Sequence, residues 1–370
     1  MRKKNTIRRF LIPVVILLVA VGLGACGSSS NNSSSGSSES TEGSGESGTV
    51  SFETGGGPEV TLPKEGLNIG LFMVAESNLY QQQVVKGAEA AAAKYGATLT
   101  DYDGEFEPTA QIDQIQNAMQ KGEMNAVILH PTSGELLCNT ASKELPEQGI
   151  PVVVIAVPVC GHEIATGEES YEPGTFTYVD SSSTSTFINA WFEGVAKENP
   201  GNHTIALVAG PEIIGQTKAI NAILKEWEPK HPNLHVKYKI YTDYTTPDSL
   251  AKTQAALKAH PDIDVIMSVY SPDLTQGVVK ALEAEGKAGQ IPVDTEGGSK
   301  YDYEQIEKGN VQFTIPFFPY NIGYEAVSAL GKAAETGEAP PPFIDDSTVG
   351  SAEEPLFLNK ENLSEFKPQY

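Results

Sequence analysis

The sequence predicts an α/β protein made of two doubly wound parallel-sheet lobes. Short apolar runs alternate with amphipathic stretches from residue 67 onward. The runs are continuously apolar, as strands covered by helices on both faces require. The alternation comes as two successive series, the second opening at Ser183, and each series is enough for one doubly wound domain.

In the first series, 67–74 (LNIGLFMV) reads as a buried strand. A helix follows over 80–94, with Val84, Val85, Ala88, Ala91 and Ala92 at helical spacing. Residues 97–102 form a strand and 109–120 a helix with Ile112, Ile115 and Met119 on one face. Next come a strand at 126–129, a helix at 133–147, a strand at 152–157 and a short strand at 176–179. Pro151 stands at a strand start, where a missing N–H is tolerated. The second series reads helix 184–197, strand 204–208, helix 217–227, strand 236–241, helix 249–259 and strand 265–269. It ends with helix 274–285, strand 291–293, helix 303–308, strand 311–315 and helix 322–334. In open sheets of this kind ligands bind beyond the carboxyl ends of the strands. The loops after the strands are therefore where a site is expected.

The first residues read as an address. Arg2, Lys3, Lys4, Arg8 and Arg9 form a basic head, and an apolar run over 10–23 follows. About 14 apolar residues fall short of the ~20 that span a bilayer, so the segment predicts a secretory signal. Leu23-Gly24-Ala25-Cys26 resembles a bacterial lipobox. That resemblance implies cleavage before Cys26 and a lipid on its thiol; the alternatives are a plain signal peptide and an uncleaved anchor. Residues 27–57 are Ser, Gly, Asn, Glu and Thr with almost nothing apolar. They predict a flexible tether over 26–62, with a typical reach of about 30 Å.

The formal charge is −23. Five of the 25 basic residues lie in the head, so 20 lysines remain against 48 acids, a balance of −28. No arginine follows Arg9. A bidentate guanidinium clamp for carboxylate, phosphate or vicinal hydroxyls is therefore absent from the body. The acidity also disfavours a nucleic-acid partner.

Several segments are similar to a known family in both order and content. They are Glu76-Ser77-Asn78-Leu79-Tyr80 with Lys86-Gly87-Ala88, 104–111 (GEFEPTAQ), Leu129-His130-Pro131-Thr132-Ser133, and Gly149-Ile150-Pro151-Val152-Val153. Thr314-Ile315-Pro316-Phe317-Phe318-Pro319-Tyr320 with Gly323, and Leu358-Asn359-Lys360-Glu361-Asn362-Leu363, complete the set. Together they resemble the type I periplasmic binding proteins, in the ribose- and galactose-binding branch that serves ABC importers. The resemblance implies a three-crossing hinge near 179–180, 317–318 and 340–343, and closure of the lobes on a small solute. The expected organisation is a signal at 1–25, a tether at 26–62, one lobe from 63–180 plus 318–342, and the other from 181–317 plus 343–370.

The same resemblance assigns ligand contacts. Asn78 and Tyr80 match hydrogen-bonding and ring-stacking positions, and Tyr244 matches a second stacking position. His130 stands at a polar contact, although a lone histidine is as readily structural. Asp180 falls at the first crossing, as a ligand acceptor or a hinge residue. Tyr270 replaces an Asn-Asp pattern, and Asp273 restores the acid. Glu296, with Asp294 as the alternative, falls near the family's ligand carboxylate. Phe317 replaces a glutamine, and Gln216 with Thr217 lies where an arginine is common. After the strand at Pro151, Ala156-Val157 stands in place of the Asp-Arg pair that clamps sugar hydroxyls. An aromatic, acidic, arginine-free cleft suits a neutral or cationic, partly apolar ligand: a modified sugar, a polyol or furanosyl compound, a nucleoside or an amine.

Cys138 and Cys160 are an even pair in an exported chain, which predicts a disulfide closing about 22 residues and contributing roughly 3 kcal/mol. The alternative is a metal site with His162 and Glu163, though no standard ligand spacing is present. No Gly-x-Ser-x-Gly elbow, His-Glu-x-x-His helix or Gly-x-x-x-x-Gly-Lys loop occurs. The expectation is a non-enzymatic, monomeric lipoprotein on the outer face of the cytoplasmic membrane. It would need no cofactor or metal and would deliver its solute to an ABC permease. A receptor of the same fold that presents ligand to a sensor kinase is the alternative.

Overall fold

The computed structural model describes residues 48–180, 185–269, 272–346 and 357–370. The signal segment, Cys26, most of the tether and Tyr270 lie outside the described residues.

The described chain opens with an antiparallel hairpin, β1 (Thr49–Phe52) and β2 (Val60–Pro63). This corrects the tether boundary, because Phe52, Val60 and Leu62 are buried. Phe52 meets Phe176 edge-on at 5.3 Å, and the Thr61 N–H donates to the Gly149 carbonyl at 2.9 Å. The few apolar residues alternate with polar ones here, so a composition dominated by Gly, Ser and Thr conceals a strand pair.

The first lobe contains β3 (Asn68–Met73), α1 (Leu79–Tyr95), β4 (Thr98–Asp103), α2 (Pro108–Lys121), β5 (Ala126–Leu129), β6 (Val152–Ile155) and β7 (Thr177–Val179). The second contains α3 (Ser185–Glu198), β8 (His203–Ala209), α4 (Gly215–Trp227), β9 (Leu234–Tyr241), α5 (Thr246–Ala259), β10 (Val265–Ser268), α6 (Asp273–Ala284), β11 (Val293–Gly297), α7 (Lys300–Lys308) and β12 (Phe313–Pro316). The chain then returns to the first lobe through α8 (Pro319–Thr336) and β13 (Phe343–Ile344), and β14 (Leu358–Asn359) joins the second. The sheet orders are β13-β7-β6-β5-β3-β4 and β14-β12-β11-β10-β8-β9. Every pairing in them is parallel except β12 with β14.

Two details depart from the sequence reading. β13 pairs with β7 in the first lobe, and Phe343 stacks on Tyr178 at 5.8 Å. The third crossing therefore lies after Ile344, so 343–344 belong to the first lobe. The stretch 133–147 is not a regular α-helix: it runs through a π-turn (Thr140–Glu144) into a 3-10 turn (Pro146–Gln148). Pro146 has no N–H to continue an α-helical ladder, and the Leu145 N–H bonds the Thr140 carbonyl instead.

α8 seats against α1 through reciprocal glycines. A Cβ on Gly87 would lie 2.0 Å from the Tyr320 carbonyl oxygen, and one on Gly323 would lie 1.9 Å from that of Val84. That backbone contact fixes the start of α8, just beyond the second crossing, against the helix that carries Asn78 and Tyr80 at its entrance.

Candidate functional site

A narrow cavity of ≈ 40 Å³ lies between the lobes. The first lobe lines it with Val74, Asn78, Tyr80, Gln81, Phe106, His130, Ala156 and Val157, and the second with Ile214, Gln216, Tyr244 and Phe317. Most of these residues follow a strand's carboxyl end, where parallel sheets place their ligands. Residues of both lobes enclose the space. Val157 and Gly215 form part of the seam: a Cβ on Gly215 would stand 2.4 Å from Val157 Cγ1. Lys218 Nζ and Glu135 Oε2 also face each other across it at 4.0 Å.

The aromatic residues build two walls. Tyr80 meets Phe317 edge-on at 5.6 Å. Phe106 stacks on Tyr244 at 5.4 Å and 21°. Tyr244 occupies this place because residue 210 is glycine; a Cβ there would lie 1.9 Å from the Tyr244 ring. Phe106, Ala156 and Tyr244 all hold positive φ, at 59°, 60° and 64°. Such backbone costs ~1–3 kcal/mol per residue and gathers at ligand clamps.

The polar residues divide into those with protein partners and those without. Asn78 caps α1, its Oδ1 accepting the Gln81 N–H at 3.1 Å. His130 is fixed by its backbone: its N–H donates to the Phe72 carbonyl, and its carbonyl accepts Gln111 Nε2 at 2.8 Å. Buried Gln111 also donates to the Met73 carbonyl and accepts the Thr132 N–H, tying the β3 and β5 loop ends together. Burial pushes the His130 imidazole down to about 3, so it is neutral at physiological pH. Its Nδ1 and the Oε1 of Gln81, both on residues that line the cavity, are buried without a hydrogen-bond partner among the described residues. Gln216 bridges Tyr244 and Glu296, accepting the Tyr244 hydroxyl at 3.4 Å and donating to Glu296 Oε1 at 3.0 Å. Burial raises the Tyr244 phenol well above its ordinary value, so it remains a donor.

Six residues singled out in the sequence thus share the cavity: Asn78, Tyr80, His130, Gln216, Tyr244 and Phe317. The acids do not line it. Glu296 is fully buried behind Gln216. Asp180 is buried at the first crossing, where its Oδ2 accepts the Tyr178 hydroxyl at 2.7 Å and its N–H donates to the Ile344 carbonyl. Asp273 opens α6, and its carbonyl accepts the Thr246 hydroxyl. Asp294 is deep in the second lobe, accepting Asn199 Nδ2 at 2.7 Å. Ala156 and Val157 do face the cavity, as apolar wall. Sequence reasoning did not single out Phe106, Gln81, Ile214 or Val74. The aromatic of 104–111 in a loop after a strand signalled the first, and a glutamine one residue past Tyr80 signalled the second.

Cys138 and Cys160 are joined by a disulfide, Cα–Cα 4.7 Å. It fastens the loops after β5 and β6, and the Cys160 N–H also donates to the Gly134 carbonyl. No group of three or more His, Cys, Asp and Glu suited to a metal occurs among the described residues.

Two parallel-sheet lobes closing on one cavity at their strand ends define the type I periplasmic-binding-protein architecture. The chain belongs to that family: residues 69–339 match the periplasmic binding protein domain. It is 23% identical over 267 residues to the ribose import binding protein of Bacillus subtilis (strain 168), across 72% of this chain and 81% of that protein. An ABC transporter solute-binding protein from Agrobacterium vitis with bound D-fucose has the same fold. The TM-score is 0.69 at 20% identity, over 80% of this chain and 96% of that one. A galactofuranose-binding protein gives a TM-score of 0.68 at 18% identity, over 81% and 96%. A Caulobacter myo-inositol-binding protein gives 0.67 at 17%, over 82% and 95%. No helix among the described residues is long and apolar enough to cross a membrane.

Proposed function

We propose that this protein is an extracytoplasmic lipoprotein, tethered through Cys26, that captures a neutral, sugar-like solute between its lobes and delivers it to an ABC importer. One observation carries the ligand class. The described wall combines aromatic rings with two buried, unpartnered polar atoms, Gln81 Oε1 and His130 Nδ1, and bears no ionised side chain. A buried polar atom without a partner costs about 1–3 kcal/mol, so a ligand that hydrogen-bonds both recovers that cost. Gln81 Oε1 accepts from a hydroxyl or amine, and the neutral imidazole donates or accepts according to tautomer. The ring faces suit the C–H face of a pyranose, furanose, polyol ring or nucleoside. An anion would meet no lysine or arginine on this wall.

The importer role is favoured over presentation to a sensor kinase because the relatives are named for import and solute binding. Asp180 is assigned to the hinge, and Glu296 to holding Gln216 in register for the ligand. Replacement of Cys26 by Ala tests the anchor: the protein should leave the membrane fraction.

The test of the ligand class is a thermal-shift and calorimetric screen of pentoses, hexoses, polyols, nucleosides, amines and amino acids. A ligand at one hundred times its dissociation constant stabilises by ~2.7 kcal/mol. Tyr80→Ala and Tyr244→Ala should each weaken the hit without unfolding the chain. Selective binding of an anionic solute, or unchanged affinity in both variants, would overturn the assignment.

A further inference from the structure

The segment 366–370 lies behind the aromatic wall and bonds alternately to the two lobes. The Phe366 carbonyl accepts the Tyr303 hydroxyl from α7 of the second lobe, and its ring meets Phe318 edge-on at 5.8 Å, at the crossing itself. Gln369 then reaches the first lobe. Its Oε1 accepts the Tyr320 N–H at 3.0 Å, and its Nε2 donates to Asn321 Oδ1 at 2.9 Å. The first of these bonds satisfies an N–H of the α8 first turn, which has no partner within the helix. Tyr370 returns to the second lobe, where its carbonyl accepts the Lys300 N–H at 2.8 Å and its hydroxyl donates to the Gly297 carbonyl at 2.9 Å. The same Gly297 carbonyl accepts the Phe317 N–H, so Tyr370 is bonded to the backbone that sets Phe317 on the cavity wall. The Tyr370 ring is buried and stands edge-on to Tyr80 at 6.5 Å and 87°.

We propose that Gln369 and Tyr370 are positioning residues of the cleft, forming a strap across the hinge that couples the seat of Tyr80 and Phe317 to closure of the lobes. Rotation of one lobe against the other changes the separation of Asn321 from Gly297. The strap holds both, so opening breaks the Gln369 bonds on one side or the Tyr370 bonds on the other. A pair of net-favourable hydrogen bonds shifts an equilibrium by roughly tenfold. Without the strap the closed form becomes less populated and Tyr80 loses its backing ring. The consequence for binding rests on the solute-binding reading above; the effect on closure does not.

The test is hydrogen–deuterium exchange on the full chain without added solute, comparing Gln369→Ala, Tyr370→Phe and Tyr370→Ala. Gln369→Ala and Tyr370→Ala should raise exchange about tenfold in the loops carrying Phe106 and Tyr244, with β5 and β10 unchanged. Tyr370→Phe keeps the ring and loses the bond to Gly297, and should fall between. Faster exchange confined to 297–303 and 318–321 would show a merely local contact and overturn the proposal. Equal acceleration in β5 and β10 would show global destabilisation and overturn it as well. Should Tyr370→Ala fail to fold, Gln369→Ala, which leaves the Tyr80 wall in place, decides alone. A failed solute screen on the wild-type chain would refute the binding assignment and leave this result standing.

Discussion

The seam between Val157 and Gly215 offers a perturbation that separates closure from folding. Gly215 is the first residue of α4 and has no positive φ, so alanine fits its backbone. Within the second lobe the change is neutral or slightly favourable, because alanine costs less helical entropy than glycine. Across the seam it is not. The new methyl would stand 2.4 Å from Val157 Cγ1 and 3.6 Å from its Cβ and Cγ2. Ordinary carbon contacts lie near ~3.5–4.0 Å, so the lobes must stay about 1–1.5 Å apart at this point or Val157 must leave its rotamer. Overpacking of this size costs ~1–3 kcal/mol, and the cost falls on the closed form alone. Gly215→Ala should therefore weaken solute binding about 5- to 150-fold while leaving the melting temperature of the solute-free protein equal or higher. Val157→Ala in the same chain removes the clashing methyls and should restore most of the affinity. Titration calorimetry with the solute selected by the screen reads the first effect, and thermal denaturation without solute reads the second. Unchanged affinity in Gly215→Ala, or no rescue by Val157→Ala, would refute the closed seam.

Other residues give independent tests. Phe52→Ala should destabilise the protein by ~3–5 kcal/mol in chemical denaturation, as for a buried aromatic lost from a core; a change below ~0.5 kcal/mol would return the hairpin to the tether. Replacing both Cys138 and Cys160 with Ser should cost about 3 kcal/mol by the chain-entropy estimate, read from the denaturation midpoint. Asp294 is fully buried, and burial, with Glu198 nearby, raises its carboxyl well above the ordinary range against the opposing bond from Asn199. Its contribution is therefore fully present below the unfolded value of ~3.9 and is lost as pH rises toward the folded one, by at most ~1.4 kcal/mol per pH unit. Asp294→Asn should flatten that slope in denaturation curves taken from pH 4 upward. His130 is held down to about 3, so solute affinity should show no histidine titration between pH 5 and 8.

The strands and most helices were legible because burial on both faces leaves little choice of residue. The run at 126–129 coincides with β5, and α1 and α5 are misplaced only at their ends. The failures have physical causes. The hairpin carries its whole signal in Phe52, Val60 and Leu62, too few residues to outweigh the polar ones between them. Pro146 turned an amphipathic stretch into a π-turn and a 3-10 turn, which a periodicity of 3.6 does not distinguish from an α-helix. β13 is two residues long, and its lobe is decided by pairing to β7, a contact between residues more than 160 apart in the chain.

The site divides along the same line. Positions one or two residues past a strand are readable from the strand itself, which is why His130 and Phe317 reach the wall. The acids stand off the cavity wall, because charge alone says nothing about which side of a wall a carboxylate faces. Glu296 is aimed at Gln216, and Asp180 at the Tyr178 hydroxyl. Phe106 stacks on Tyr244 only because both residues accept positive φ and residue 210 has no side chain. Three loops from two lobes must therefore agree for that wall to form, and no single segment of sequence contains the agreement. The strain stored at Phe106, Ala156 and Tyr244 is tolerable only while the lobes and the disulfide-tied loops hold them, so the proposed ligand recognition belongs to the closed arrangement of the chain and not to any one motif.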